Sequence, residues 1–136
     1  MFCVLVQDDV AKRIVASPGG KEYGALSVTM QLWGQCRTIK NVPRGMFVPV
    51  PGVDSCFVVA EKRKEVKEVC ERLLKGVFAA RRKTILNGLC IVYGINKQQS
   101  GEMLALANIS AEVRPEQITV QQFGELATVI SKIMQK

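Results

Sequence analysis

The stretch Met1-Phe-Cys-Val-Leu-Val6, followed at once by Asp8-Asp9 and a short amphipathic segment, decides the fold of the first part of the chain. A continuous apolar run of this length is typical of a β-strand buried on both faces. The acidic pair can cap a short helix that carries Val10 and Ile14 on one face and ends at Ser17-Pro-Gly-Gly20. A strand that leads directly into a helix indicates an α/β sheet.

The rest of the first sixty residues continues this alternation. Residues 23–33 carry apolar side chains at helical spacing, and residues 37–42 and 54–60 have the composition of strands. Between those strands lies Pro43-Arg-Gly-Met-Phe-Val-Pro-Val-Pro-Gly52, which is too rich in Pro and Gly for a regular element. The sequence therefore predicts two further strands joined by a long, stiff loop.

From Glu61 onward the pattern becomes helical. Further helices are predicted for residues 85–93, ending near Gly94, for residues 102–107, and from Thr119, which has capping-box spacing to Gln122. Before these helices, residues 66–78 are predicted to form another one. Its apolar side chains form a stripe with i, i+3, i+4 spacing, made of Val66, Val69, Cys70, Leu73, Leu74, Val77 and Phe78. The predicted fold class is α/β plus all-α, with an α/β domain in residues 1–61 and a helical domain in residues 62–136.

Composition excludes several function classes. The chain has 136 residues, 19 basic and 12 acidic, for a net charge of +7, which favours anionic partners such as nucleic acid. It has no histidine, so histidine-based catalysis and histidine metal sites are excluded. Its five cysteines form no C-x-x-C pair, so we expect no metal site and no disulfide framework, only small core thiols in a reducing compartment.

The sequence also bears on location. No apolar stretch approaches the roughly 20 residues that a membrane-spanning helix needs, and the first residues do not form a basic region followed by a cleavable apolar segment. We therefore expect a soluble, cytoplasmic protein with no membrane partner.

Positive charge is concentrated in one segment. Residues 62–83 hold nine basic and three acidic side chains, a net +6 of the total +7. The densest part is Arg81-Arg82-Lys83, at the end of an apolar helix face. A solvated helix surface would account for such a run. Three consecutive cations beside a Thr and an Asn also suit contacts with RNA phosphates, and the residues alone leave both interpretations open.

Five stretches match, in the same order, the motifs of one enzyme family. Phe78-Ala-Ala-Arg-Arg-Lys-Thr-Ile-Leu-Asn87 is similar to F-x-x-R-R-K-T-[IL]-x-N, and Phe47-Val-Pro-Val-Pro-Gly-Val-Asp-Ser55 to F-x-P-x-P-K-V-D-S. Residues 7–13, 23–31 and 113–118 are similar to Q-K-E-V-A-x-R, Y-G-x-L-S-V-x-x-Q and a closing R-x-E-x-[IL]. Together these stretches resemble the small-subunit ribosomal RNA adenine N6,N6-dimethyltransferases of the KsgA type.

The match departs from the family pattern in two places and covers only part of it. Asp8 and Asp9 stand where Lys-Glu is usual, and Gly52 stands where Lys is usual. The family binds S-adenosylmethionine through a glycine-rich strand–turn–helix and holds its target adenine with an Asn-Leu-Pro-Tyr-like motif. The sequence contains neither motif.

The resemblance therefore implies the last strands of a Rossmann-like class I methyltransferase sheet and the helical domain behind them. We expect a fragment with no catalytic residues and no cofactor site of its own. The first strand should then have an edge and apolar faces that this chain does not cover.

The resemblance also implies roles for four residues. Phe47 would stack on the extruded target base, although a loop Phe can equally anchor the chain in the core. Arg81, Arg82 and Lys83 would contact ribosomal RNA phosphates, although they could instead face water or pair with Glu112 or Glu116. We expect structural roles for Tyr23, Gln31, Trp33 and Ser55, and a salt bridge between Arg114 and Glu116.

The sequence thus predicts the C-terminal portion of an rRNA adenine dimethyltransferase. By resemblance, the full enzyme uses S-adenosylmethionine to methylate adjacent adenines near the 3′ end of small-subunit rRNA. This chain alone should bind the small ribosomal subunit without methylating it, and the missing N-terminal half of the enzyme would be a partner. One rival is a non-catalytic RNA-binding or ribosome-assembly module. A small basic DNA-binding helical protein is a weaker alternative, because it leaves residues 1–60 unexplained.

Overall fold

The structure is a computed structural model, and it describes residues 1–62 and 68–134, with the backbone alone for residues 68 and 69. Three strands come from the first part of the chain, β1 (Phe2–Gln7), β2 (Gly34–Val42) and β3 (Ser55–Lys62). The helices of the described residues are α1 (Asp8–Ile14), α2 (Ala25–Trp33), α3 (Glu68–Ala79), α4 (Ile85–Tyr93), α5 (Lys97–Leu106) and α6 (Val120–Met134). The predicted strand–helix alternation and the later helices are therefore present.

The sheet has the order β1-β3-β2, and β3 is antiparallel to both of its neighbours. Strands β1 and β2 therefore run parallel to each other on either side of β3. A bulge lies between Thr38 and Lys40, so that Arg37 is paired with Val59 and Lys40 with Phe57. Residues two apart on a strand share a face, so this register puts Arg37 and Lys40 on the same face of the sheet.

Helices pack on one face of the sheet, and the other face is only partly buried, since Val59 there is 5% exposed and Leu5 42% exposed. Helices α1 and α2 pack on the face of Cys56 and Val58, where Ala11 and Ile14 complete a small core. The opposite face carries Cys3 and Leu5 of β1, which pair with Val59 and Phe57. Within the described residues, we find no helix packed on that second face.

The prediction that β1 is buried on both faces is therefore wrong. Most of β1 is exposed, and Leu5 keeps 42% of its accessible surface. The prediction of a core thiol also fails for Cys3, which is exposed, whereas Cys56 and Cys70 are buried. An apolar run specifies a strand that can be buried, but burial also needs a covering element. The expectation of an uncovered edge and face agrees with this arrangement in the described part of the chain.

The helices form the larger core of the molecule. Its residues come from α2 to α6, and Leu73, Leu89 and Phe123 are among its fully buried side chains. Phe78 lies between Tyr23 and Phe123, with ring centroids 6.1 and 5.6 Å away. Burying such side chains supplies most of the favourable free energy of folding.

Local capping signals set the ends of several helices. Thr119 and Gln122 form the predicted capping box, with backbone-to-side-chain bonds of 2.9 and 3.1 Å. Gly94 ends α4 in the left-handed conformation, where glycine has no steric penalty. The start of α5 was predicted too late, at residue 102, because its first residues are polar. Asn96 caps the helix there in a box with Gln99.

Two predictions lie partly or wholly beyond what the structure describes. Val66 falls outside the described residues, and of Val69 only the backbone is described, so the stripe is seen from Cys70 onward. The division into domains 1–61 and 62–136 stays a prediction. Within residues 1–62 and 68–134, no helix is both long and apolar enough to cross a membrane.

Candidate nucleic-acid interface

The three predicted phosphate-binding cations lie in the turn between α3 and α4. All of Arg81, Arg82 and Lys83 are exposed. The turn is closed by a 2.9 Å bond from the Lys83 amide to the Ala80 carbonyl. Thr84 then caps α4, because its hydroxyl oxygen accepts from the Asn87 amide at 3.4 Å. The Arg-Arg-Lys-Thr sequence therefore ends one turn and starts the next helix.

Arg81 is tied to the protein. Its Nε atom lies 3.6 Å from Glu116 Oε2, and its Nη2 atom donates to the Tyr23 carbonyl oxygen at 3.5 Å. Of the two acidic partners considered for the cluster, Arg81 thus contacts Glu116. The expected Arg114–Glu116 salt bridge is wrong, because Glu116 faces Arg81. The turn at Arg114 is instead held by a 3.0 Å bond from its amide to Gln117 Oε1.

Arg82 and Lys83 differ from Arg81. Among the described residues, neither side chain has an ion pair or a hydrogen bond, so both are available to an external anion. Lys83 directly precedes the N-cap of α4, where the helix dipole presents positive potential. A cation gains nothing from that potential, whereas a phosphate would be attracted by the dipole and by both side chains.

The structure brings the first part of the chain close to this turn. The Tyr23 hydroxyl donates to the Ile118 carbonyl oxygen at 2.6 Å, and the Gly19 amide donates to the Glu116 carbonyl oxygen at 2.6 Å. Burial raises the pKa of Tyr23 to about 12, so the hydroxyl remains a donor at neutral pH. The expectation that Tyr23 is a packing residue is confirmed.

The remaining residues expected to be structural also pack within the fold. The Gln31 amide nitrogen donates to the carbonyl oxygens of Ile14 and Ala16, at 2.9 and 2.8 Å. Trp33 packs edge-on against Phe2, with ring centroids 4.9 Å apart. Ser55 lies at the start of β3.

A cavity of about 270 Å³ beside Arg81 adds two cations that the sequence analysis did not single out. Arg13, Lys21 and Arg81 line it together with the first residues of α2. These basic residues are distant in sequence, and only the fold shows that they share one cavity. One indication of this was present in the sequence, because Arg13 lies in the motif stretch of residues 7–13.

The loop between β2 and β3 holds Phe47. A 3-10 turn at Arg44–Met46 precedes it, and the Phe47 side chain is half-buried while Met46 and Val48 on either side are exposed. The Val48–Pro49 peptide bond is cis. Half-burial agrees with a partial anchoring role and leaves part of the ring accessible to a base.

Asp54 fixes the base of this loop. Its Oδ1 atom accepts from the Arg44 amide at 2.8 Å, and its carbonyl oxygen accepts from the Asp8 amide at 3.0 Å. Arg44 also donates from Nη1 to the Gly52 carbonyl oxygen at 3.4 Å. The two ends of the loop are therefore joined to each other and to the start of α1.

The two departures from the family motifs lie at one place. Asp8, Asp9 and Gly52 line a single cavity of about 560 Å³ together with Arg44 and Asp54. Asp8 pairs with Lys12 at 3.1 Å. The family motifs carry lysine at the positions of Asp8 and Gly52. In this chain the cavity is lined by three carboxylates and one guanidinium, so it repels phosphate and accepts hydrogen-bond donors.

The described residues contain no group of three His, Cys, Asp or Glu side chains that could hold a metal ion. None of the five cysteines forms a disulfide. Within the described residues, the α3–α4 turn presents two cations without an ion pair and the loop presents a half-buried ring.

Comparison with solved structures shows which class of protein has this fold. A dimethyladenosine transferase from Plasmodium falciparum superimposes with a TM-score of 0.81, covering 96% of this chain and 56% of that chain at 21% identity. A 23S rRNA methyltransferase, ErmE, superimposes with a TM-score of 0.58 over 95% of this chain and 54% of the other, at 19% identity. At these identities the likeness shows the fold, an arrangement of sheet and helices found in RNA methyltransferases.

Sequence comparison gives the family. The profile described as "Ribosomal RNA adenine dimethylase" matches residues 1–132. The chain is 37% identical over 134 residues to ribosomal RNA small subunit methyltransferase A of Clostridioides difficile, covering 94% of this chain and 46% of the relative. It is 40% identical to that of Desulfitobacterium hafniense, covering 95% and 48%. The chain belongs to the ribosomal RNA adenine dimethylase family, and it spans about half the length of the curated relatives it matches.

Proposed function

We propose that this chain is the C-terminal, RNA-docking portion of an rRNA adenine N6,N6-dimethyltransferase. In this proposal it supplies the α3–α4 turn that binds the small ribosomal subunit and the loop with Phe47 that receives the target adenine. The complete enzyme would methylate adjacent adenines near the 3′ end of small-subunit rRNA, in the cytoplasm. The observation that carries the proposal is the exposed, unpaired Arg82–Lys83 pair ahead of the α4 N-terminus.

Family membership supports the choice of substrate. The relatives are named as methyltransferases of small-subunit ribosomal RNA, and the matched residues 1–132 include both candidate RNA-contacting segments. Phosphate binding by arginine and lysine is independent of base sequence and would position the RNA. Stacking of a flipped base on Phe47 would then select an unpaired nucleotide.

The residues present do not fit S-adenosylmethionine, the cofactor that we propose for the complete enzyme. Such a site needs a glycine-rich turn between a strand and a helix. Strand β1 leads directly into α1 without a glycine, and the left-handed glycines of the described residues, Gly19 and Gly94, do not follow a strand. We therefore assign cofactor binding and methyl transfer to the half of the enzyme that this chain does not match.

Salt-titrated binding to small-subunit rRNA tests the docking role. Arg82→Ala/Lys83→Ala removes two unpaired cations without touching the Arg81 contacts. Its matched control is Lys97→Ala/Lys132→Ala, which removes two exposed cations from α5 and α6. We expect the plot of log K against log salt to become shallower by about two for the first variant and to be unchanged for the control.

Three results would count against the proposal. Equal slopes for the two variants would make Arg82 and Lys83 a solvated turn. Methyl transfer by the wild-type chain alone would show that it holds a cofactor site. Binding without transfer, even when the remaining half of a relative is added, would instead favour the non-catalytic assembly module.

A further inference from the structure

The tip of the β2–β3 loop exposes three large apolar side chains. Val48 retains 98% of its accessible surface, Met46 74% and Val50 62%. Exposing such side chains to water costs free energy, and a contiguous apolar group on a loop usually marks a contact with another molecule. Phe47, the residue to which the motif points, is less exposed than both of its neighbours.

The tip is also preorganised. Pro43, Pro49 and Pro51 restrict the backbone, and the Asp54 contacts with Arg44 and Asp8 hold the loop base. A stiff loop loses little conformational entropy when it binds, so its apolar side chains can contribute most of their burial energy to a partner.

Charge around the tip indicates which partner it would take. The bulge at Thr38–Lys40 puts Arg37 and Lys40 on the same face of β2, opposite Val59 and Phe57, so they lie about 7 Å apart along the strand. Both side chains are exposed, and among the described residues neither makes an ion pair or a side-chain hydrogen bond. Strand β2 then leads into the loop that contains Arg44. Arg44 itself lines the cavity with three carboxylates and donates to the Gly52 carbonyl oxygen, so in the described part of the chain the free cations nearest the loop along β2 are Arg37 and Lys40.

We propose that Met46, Val48 and Val50 pack against unpaired nucleobases beside the target adenine, while Arg37 and Lys40 bind the phosphates of the same RNA segment. An apolar tip suits bases, and the two cations suit phosphates. Apolar side chains that insert beside bases compensate for the loss of stacking between them. This inference rests on the proposed function, because it takes RNA as the partner.

The test uses an RNA hairpin whose loop carries two adjacent adenines, with 2-aminopurine at the neighbouring position to report unstacking. The variant is Met46→Ser/Val48→Ser, whose side chains are exposed and outside both cores. Its control is Ile91→Ser/Leu106→Ser, which removes two other exposed apolar side chains (63% and 66%) from α4 and α5. We expect about tenfold weaker binding and a smaller fluorescence rise for the tip variant, and neither change for the control.

A second variant tests the phosphate contacts. Arg37→Ala/Lys40→Ala should lower the salt slope by about two, independently of Arg82 and Lys83. An unchanged slope would overturn this part. A fully paired duplex of the same length should bind the tip variant and the wild type equally, and equal weakening on that duplex would overturn base contact.

Failure of the inference and failure of the proposed function can be told apart. If Arg82→Ala/Lys83→Ala weakens hairpin binding and the tip variant does not, the inference is wrong and the docking role stands. If neither variant changes binding, both are wrong. A wild-type dimer in sedimentation that the tip variant converts to a monomer would show that the tip contacts a second copy, which also overturns the inference.

Discussion

The helical core and the three-stranded sheet bury their apolar side chains to different degrees. The helices enclose Leu73, Leu89 and Phe123 with full burial, and their cluster includes Tyr23 of the preceding segment. The sheet encloses a small cluster on one face and leaves Leu5 and Cys3 exposed on the other. The strands of the sheet are well paired, so the difference lies in covering elements and not in backbone hydrogen bonding.

This difference explains how the two regions can divide a function. A region that buries its own apolar surface can present charged side chains such as Arg82 and Lys83 on a stable frame. Within the described residues, the β1 side of the sheet, with an unpaired edge and the exposed apolar side chain of Leu5, is suited to receive further structure, whereas the β2 side of the same face carries Arg37 and Lys40. Under the proposed function, that further structure would be the rest of a methyltransferase domain.

Phe123→Ala should produce the largest loss of stability. The side chain is fully buried and its ring lies 5.6 Å from that of Phe78, so truncation leaves a cavity and should cost about 3–5 kcal/mol. Leu5→Ala on the open face should cost only about 1 kcal/mol, because the side chain already keeps 42% of its accessible surface. Denaturant unfolding measures both values, and similar losses would erase the contrast between the regions.

Gly34→Ala tests whether the sheet is tightly built where it is paired. A Cβ atom there would overlap the Glu61 carbonyl oxygen of the neighbouring strand, so we expect a loss of about 2–3 kcal/mol. Gly45→Ala is the matched control, because nothing lies within 4 Å of a Cβ at that position. Equal unfolding midpoints for the two variants would mean that β2 and β3 do not pair in this register.

Tyr23 supplies a pH test of the joint between the first segment and the last helix. Its pKa is 10.0 in the unfolded chain and about 12 when buried, so the folded state holds its proton longer. Stability from this group is complete below pH 10 and is lost as the pH rises to 12, by about 2 kcal/mol. Tyr23→Phe should cost about 1–2 kcal/mol at neutral pH, because the Ile118 carbonyl loses its donor.

Denaturant unfolding of both proteins at pH 9, 11 and 12, with reductant present, measures the effect. The variant should lack the alkaline loss attributed to Tyr23. If both proteins lose stability equally between pH 10 and 12, the Tyr23 hydroxyl is not buried against Ile118.

Local signals in the sequence predicted local structure well. The Thr119–Gln122 box, the turn at Gly94 and the strand runs are each fixed by neighbouring residues. The exposure of β1 could not be predicted in the same way, because burial depends on which elements pack on a strand. The Arg81–Glu116 pair depends likewise on two turns that meet only in the folded chain.

The candidate site was predictable in its residues but not in its arrangement. Arg81, Arg82 and Lys83 were recognised together, yet only the structure separates the tied Arg81 from its unpaired neighbours. Asp8 and Gly52 were seen as isolated departures, and the fold puts them in one cavity. The roles of Phe47 and of the three cations remain predictions.

The central claim is that the sheet is one part of a catalytic domain whose other part lies outside this chain. The most direct test mixes the chain with the unmatched portion of the Clostridioides difficile relative and measures methyl transfer from S-adenosylmethionine to small-subunit rRNA. We predict transfer with the mixture, none with either part alone, and a strong reduction when Leu5→Lys puts a charge on the open face of β1. Transfer by the chain alone, or transfer unaffected by Leu5→Lys, would contradict the account.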